Sequence, residues 1–148
     1  MDRLLLLLAI ASAAAVAAHF LQRRRPDAPV RTGWSVPAQI DRNDFDNPKA
    51  PWLVVIFTSA SCDACAAVAA TAAPLASDTV EVQVVEYDER RDLHDRYGID
   101  AVPLVVIADA LGVVRVDHVG PVSATHLWGS LAEVREPGST PDGCGAGG

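Results

Sequence analysis

Apolar runs separated by short polar turns dominate the middle of the chain. Residues 52–57 form a continuous run of β-forming side chains, which is typical of a strand buried on both faces. Residues 80–85 predict a second buried strand, and residues 104–107 and 113–119 predict two more. The turn signal at residues 109–112 separates the last two strands and indicates a hairpin.

Three helices are predicted between and after these strands. The first covers residues 62–76, with Ser61 as its N-cap and Asp63 in its first turn. The second covers residues 90–97, and the third covers residues 123–135 with a serine cap. The order β-α-β-α-β-β-α is typical of an α/β sandwich with a mixed central sheet.

The N-terminus carries a different pattern. Residues 4–21 hold no formal charge when His19 is neutral, and as a helix they would span about 27 Å at roughly 1.5 Å per residue. This length approaches the roughly 30 Å hydrocarbon core of a bilayer, so residues 1–22 are predicted to form one transmembrane anchor. A cleaved signal peptide is the alternative, because residues 15–17 offer small side chains at the required spacing.

Arginines set the expected orientation of this anchor. Arg23, Arg24 and Arg25 follow the apolar segment, whereas Arg3 precedes it beside Asp2. The positive-inside tendency therefore predicts a single-pass protein of the cell membrane whose domain faces the cytoplasm.

Composition divides the rest of the chain into three parts. Residues 23–33 form a basic linker, residues 34–136 form one small globular domain, and the Gly-rich residues 137–148 are predicted to be a disordered tail. The formal net charge is -7, and the acidic excess is larger beyond the N-terminal arginines. Such a surface repels phosphates, so no nucleic-acid partner is expected.

Two of the three cysteines form the motif Cys62-Asp63-Ala64-Cys65, which follows a buried strand and opens a helix. Free N–H groups and the partial positive charge of a helix start stabilise a thiolate, which is the reactive form of cysteine. The spacing lets Cys65 attack a mixed disulfide on Cys62. We therefore expect Cys62 to be the exposed attacking thiol and Cys65 the buried resolving thiol. The charge of Asp63 opposes thiolate formation and favours a reductant.

Residues 52–136 resemble the thioredoxin superfamily, and within it the membrane-tethered bacterial thioredoxin-like proteins. The resemblance rests on the strand-turn-CxxC-helix unit, on residues 97–103 (YGIDAVP) and on Gly112 followed by a strand that ends at Gly120. It implies a three-layer α/β/α sandwich and thiol–disulfide exchange. It also implies that Pro103 is cis and faces the sulfurs, and that the backbone of Val102 pairs with an extended substrate.

Three positions depart from the family pattern. Ser61 stands where the family usually has tryptophan, Ile56 where thioredoxins often bury an acid, and Val84 where a lysine lies. Proton transfer to the resolving thiol must then use water or another group. We expect a dedicated partner or slower turnover rather than fast, general reduction of protein disulfides.

The expected partners are a protein thiol or disulfide substrate and an upstream thiol reductant, and no cofactor is expected.

Two other functions stay open at this point. The domain could be a non-catalytic binding module at the membrane, with the three departures reflecting lost catalysis, or it could handle metals through its thiolates. Only Cys144, in the tail, and four histidines remain as further ligands, in no zinc-site spacing, so no metal site is predicted. His94, His118 and His126 fit surface or helix-face positions and are assigned no role.

Overall fold

The computed structural model describes residues 33–139. The apolar segment, the arginine cluster and Cys144 lie outside these residues, and so do positions 140–148 of the predicted tail. Within residues 33–139, no helix is both long enough and apolar enough to cross a bilayer. The anchor, the tail and the domain boundaries therefore remain predictions.

Four strands and three α-helices make up the described part of the chain. In chain order they are β1 (Trp52–Thr58), α1 (Cys65–Ala72), β2 (Val80–Glu86), α2 (Arg91–Tyr97), β3 (Leu104–Ala108), β4 (Val114–Val119) and α3 (Ala124–Arg135). Short 3-10 helices cover Arg42–Asp44 and Ala73–Leu75. The predicted element order is confirmed.

The four strands form one mixed sheet in the order β2-β1-β3-β4. β1 runs parallel to β2 and antiparallel to β3, and β4 returns antiparallel to β3. The prediction that β2 is a buried strand is wrong, because β2 lies at the edge of the sheet. Only Val80 and Val85 of this strand are buried, and Val84 is 49% exposed.

The two faces of the sheet explain the continuous apolar run in β1. Leu53, Val55 and Phe57 point into one core cluster, which α2 and the segment before β1 cover. Val54 and Ile56 point into the other, which α1 and α3 cover. Every residue of β1 from Leu53 onward is buried on one face or the other. Polar and apolar residues therefore do not alternate along this strand. The two covered faces confirm a three-layer α/β/α sandwich.

The first helix begins later than predicted. Its first residue is Cys65 and its N-cap position is Ala64, which supplies no side-chain hydrogen bond. Ser61 is therefore not the N-cap, and Asp63 lies before the helix rather than in its first turn. The helix also ends early, because Pro74 lacks the N–H that an α-helix needs and the chain continues as a 3-10 turn.

The end of α2 and the start of α3 are as predicted. Gly98 closes α2 in the left-handed conformation, with φ of 62°, and its N–H returns to the carbonyl of Asp95. The Ser123 hydroxyl caps α3 by accepting a hydrogen bond from the backbone N–H of His126.

Two polar side chains bind the segment before β1 to the rest of the domain. The buried Arg42 donates to the carbonyl of Asp109 at 2.7 Å and to the carbonyl of Ala50 at 2.8 Å. The Tyr97 hydroxyl donates to the carboxylate of Asp44. Burial, together with that carboxylate, raises the pKa of Tyr97 to about 12, so its phenol stays neutral at physiological pH.

Gly112 tests how tightly this segment is held. At φ of 79°, a Cβ on Gly112 would lie 2.0 Å from the carbonyl oxygen of Ile40. Gly112→Ala should lower the free energy of unfolding by about 3 kcal/mol or more, because backbone strain adds to the clash. Gly120 has φ of 87° and nothing within 4 Å, so Gly120→Ala should cost only about 1–2 kcal/mol. Urea unfolding measures both, and equal losses would show that the contact with Ile40 is unimportant.

Candidate functional site

The pairing of β1 with its neighbours brings two distant motifs to one edge of the sheet. Phe57, the penultimate residue of β1, pairs with Leu104, the first residue of β3. Since the strands are antiparallel, the chain leaving β1 and the chain entering β3 lie at the same edge. The CxxC motif follows β1, and Val102 and Pro103 directly precede β3, so these two segments adjoin.

Cys62 and Cys65 form a disulfide whose Cα atoms are 5.5 Å apart. Cys65 is 3% exposed, whereas Cys62 is only half-buried. Two backbone hydrogen bonds hold the loop that carries them. The Cys62 N–H donates to the carbonyl of Ser59 at 2.9 Å, and the Cys65 N–H donates to the carbonyl of Cys62 at 3.2 Å. The expected difference in exposure between the two cysteines is confirmed.

The first helix, α1, begins at Cys65 instead of at Cys62, where the sequence predicts it. Cys62 stands in the turn before the helix, and Cys65 is its first residue. The disulfide nevertheless keeps the Cys62 sulfur bonded to a sulfur on the first helical turn. The positive end of the helix therefore acts on both sulfurs, and the electrostatic argument for thiolate stabilisation holds with a shifted helix start.

The peptide bond between Val102 and Pro103 is cis, as the resemblance implies. Pro103 is buried, and its carbonyl accepts a hydrogen bond from the N–H of Gly120 at 2.8 Å. Val102 is half-buried. Its position directly before the central strand β3 places its backbone at the edge of the sheet beside the cysteine loop.

Two cavities flank the cysteine loop. A cavity of about 240 Å³ borders the disulfide on the α1 side of the sheet; it is lined by Thr58, Ser59, Ala60, Cys62, Cys65, Ala66, Ala69, Val84 and Glu86. A second cavity, of about 210 Å³, lies toward Val102; it is lined by Ser59, Tyr87, His94, Ile99, Asp100, Ala101 and Val102. Because Ser59 lines both, the two cavities meet at the turn that leads into Cys62.

Sequence reasoning missed two polar residues at this edge. Glu86, the last residue of β2, pairs in the sheet with Thr58, the last residue of β1. The Thr58 hydroxyl donates to one Glu86 carboxylate oxygen at 2.6 Å, and the Ala60 N–H donates to the other at 2.7 Å. Thr58 is the polar end of the apolar strand β1, which is a usable signal, whereas Glu86 ends a strand that already carries Glu81 and Gln83. Their pairing, however, depends on a register that local patterns do not contain.

His94, which the sequence places at the surface or on a helix face, lies on α2 but is buried rather than exposed. Its side chain is 2% exposed, and its Nε2 donates to the carbonyl of Val85 at 3.0 Å. Phe57 and Tyr87 both contact its ring edge-on, at centroid distances of 5.2 Å. This histidine links α2 to the sheet beneath the second cavity. No pattern in α2 distinguishes it from an exposed helical histidine.

The three departures from the family pattern have different surroundings. Ile56 is fully buried in the core cluster beneath α1 and α3. Ser61 is exposed, and its hydroxyl lies 3.1 Å from that of Ser59. Val84 lines the cavity beside the disulfide and is half exposed. The cavity beside the disulfide accordingly has no aromatic and no basic side chain among the described residues of its lining.

No third metal ligand joins the cysteine pair in the described part of the chain. Among residues 33–139, no three His, Cys, Asp or Glu side chains are grouped closely enough to hold a metal ion.

His118 is half-buried against the Ser130 hydroxyl of α3, at 3.1 Å. Burial lowers the pKa of His118, which favours the neutral imidazole at that position.

The fold is similar to that of solved structures, among them a thioredoxin. A mutant thioredoxin from Halobacterium salinarum NRC-1 is similar with a TM-score of 0.53 and 23% identity, over 67% of this chain and 86% of that one. A malarial protein of solved structure is similar with a TM-score of 0.51 and 15% identity, over 55% of this chain and 94% of that one. No protein-family model and no curated protein matches the sequence. At these identities the comparisons establish the fold, which is thioredoxin-like.

The unequal exposure of the two sulfurs gives a direct test of the site. After reduction of the full-length chain, iodoacetamide should alkylate Cys62 at least about tenfold faster than Cys65, because access limits the reaction of a buried thiol. Peptide mass spectrometry separates the two rates from that of Cys144. In urea the two rates should converge, which serves as the control. Faster labelling of Cys65 in the folded chain would contradict the assigned geometry.

Proposed function

We propose that the chain is a membrane-anchored thiol–disulfide oxidoreductase that works in the reducing direction. The observation that carries this proposal is the unequal exposure of a bonded cysteine pair at the edge of the sheet that also holds Val102 and Pro103. A partly exposed cysteine can be reached by a substrate, and a buried partner cysteine is kept for the second step. The thioredoxin-like fold supports the same assignment.

The reaction follows from the two sulfurs. The reduced Cys62 thiolate attacks a substrate disulfide, so that a bond forms between its sulfur and one substrate sulfur while the other leaves as a thiolate and takes up a proton. Cys65 then loses its proton and attacks the Cys62 sulfur, which releases the second substrate thiol. The chain is left with the Cys62–Cys65 disulfide, and an upstream thiol reductant returns two electrons and two protons to it.

The edge beside Val102 supplies a place for the substrate. The backbone of Val102 can pair with an extended peptide as an added strand would, which would hold a substrate cysteine opposite Cys62. The two adjoining cavities can take the side chains on either side of that cysteine. Asp63 is exposed and lies between the two cysteines in the sequence. Its negative charge disfavours the thiolate form, which supports the reducing direction.

Cysteine variants separate an enzyme from a binding module. Cys62→Ser and Cys65→Ser should each lower the rate of insulin-disulfide reduction by about 100-fold or more, because neither single thiol can complete the cycle. Cys65→Ser should also trap a mixed disulfide with substrate through Cys62, whereas Cys62→Ser should trap none. Cys144→Ser is the matched control and should retain activity. Full binding to a partner by a chain lacking both cysteines, without turnover in the wild type, would favour the binding module.

The membrane anchor rests on residues 4–21 and on the arginines that follow them. We expect the full-length chain to stay in the membrane fraction after an alkaline wash, and a fluorescent protein fused to its C-terminus to fluoresce on the cytoplasmic side. Replacement of Arg23, Arg24 and Arg25 by Glu should reduce that fluorescence, because the charge bias is removed. Release of a shortened chain by the alkaline wash would instead indicate a cleaved signal peptide.

A further inference from the structure

Glu86 holds the turn that leads into the reactive cysteine. After Thr58 the chain leaves the sheet, so the N–H of Ala60 has no strand to pair with. The Glu86 carboxylate accepts that N–H at 2.7 Å and the Thr58 hydroxyl at 2.6 Å. An acceptor on the neighbouring strand thus replaces the missing ladder hydrogen bonds just where β1 ends.

The position of Cys62 depends on this turn. The Cys62 N–H donates to the carbonyl of Ser59, and the Ser61 N–H donates to the Ser59 hydroxyl at 3.4 Å. These bonds tie the turn to itself. The bond from Ala60 to Glu86 ties it to the sheet. A shift of Glu86 would therefore move the turn and the sulfur that it carries.

The same carboxylate also lines the cavity that borders the disulfide. Glu86 and both cysteines line one cavity, and the other residues of that lining are small, apolar or hydroxylic. Asp63 is exposed in the loop between the cysteines, and His94, Asp100 and Tyr87 line the neighbouring cavity toward Val102. Among residues that line the cavity at the disulfide, Glu86 alone is ionisable apart from the cysteines.

We infer that Glu86 is a positioning residue of the site: it fixes the turn that presents Cys62 and, through its charge, disfavours the Cys62 thiolate and biases the pair toward the disulfide. This rests on the proposed function, because bias toward the disulfide is what makes the reduced pair a better reductant. The two effects are separable, since the first needs an acceptor and the second needs a charge.

Two substitutions separate the effects. Glu86→Gln keeps an oxygen that accepts from Ala60 and an amide that can donate to the Thr58 hydroxyl, but it removes the charge. Glu86→Ala removes both the acceptor and the charge. Asp78→Asn is the matched charge control, because Asp78 is exposed just before the start of β2, roughly 20 Å from the site at about 3.3 Å per residue of strand.

Three measurements on the full-length reduced chain test the inference. They are the pH profile of Cys62 alkylation resolved by peptide mass spectrometry, the equilibrium of the Cys62–Cys65 pair with glutathione, and the rate of insulin reduction. Glu86→Gln should speed alkylation of Cys62 at pH 7 about threefold or more and shift the glutathione equilibrium toward the dithiol by a similar factor.

Glu86→Ala should show the same alkylation and equilibrium shifts, and it should also reduce insulin about tenfold more slowly than Glu86→Gln, because the turn is released. Asp78→Asn should match the wild type in all three. Wild-type alkylation and equilibrium in Glu86→Gln would overturn the inference, and this variant suffices should Glu86→Ala fail to fold. Absence of insulin reduction by the wild type would count against the proposed function alone, because alkylation of Cys62 needs no substrate.

Discussion

The pairing of β1 with both of its neighbours is the constraint on which the site depends. Parallel pairing with β2 places Thr58 against Glu86, and antiparallel pairing with β3 places Phe57 against Leu104. The cysteine loop, the carboxylate and the segment before β3 consequently reach one edge of the sheet. A slip of one residue in either register would turn every side chain of β1 to the opposite face of the sheet. Thr58 would then lose its contact with Glu86, and the apolar side chains of β1 would pack against the wrong helices.

Burial on both faces of β1 makes that register difficult to change. Leu53 to Phe57 are fully buried, and each large apolar side chain contributes roughly 1.5–3 kcal/mol when it leaves water. Alternation along β1 and β2 also places Ile56, Thr58 and Glu86 on the face that α1 covers. Ile56 is buried and apolar on this face, and the carboxylate that lines the cavity beside the disulfide comes from Glu86 on the neighbouring strand. The charge of Glu86 therefore lies near the sulfurs, at a position that is partly exposed to water.

Local patterns account for much of the architecture and fail at particular places. The strands, the turn at Gly112 and the caps at Gly98 and Ser123 follow from apolar runs and from residues with a known backbone preference. The edge position of β2 was not predicted, although Glu81 and Gln83 alternate with valines there, a pattern typical of a strand with one solvated face. The late start of α1 does not follow either, because Ser61 could cap a helix but bonds to Ser59 within the turn instead.

The sequence by itself determined the order of the elements, the cysteine pair at the junction of a strand and a helix, and the Val-Pro step before a later strand. Each of these is a pattern among residues adjacent along the chain, so covalent connectivity carries the information. Tertiary structure decided that His94 is buried and that Glu86 bonds to Ala60. Those contacts join residues 9 or more positions apart or depend on packing between layers. Only the strand register brings such groups together.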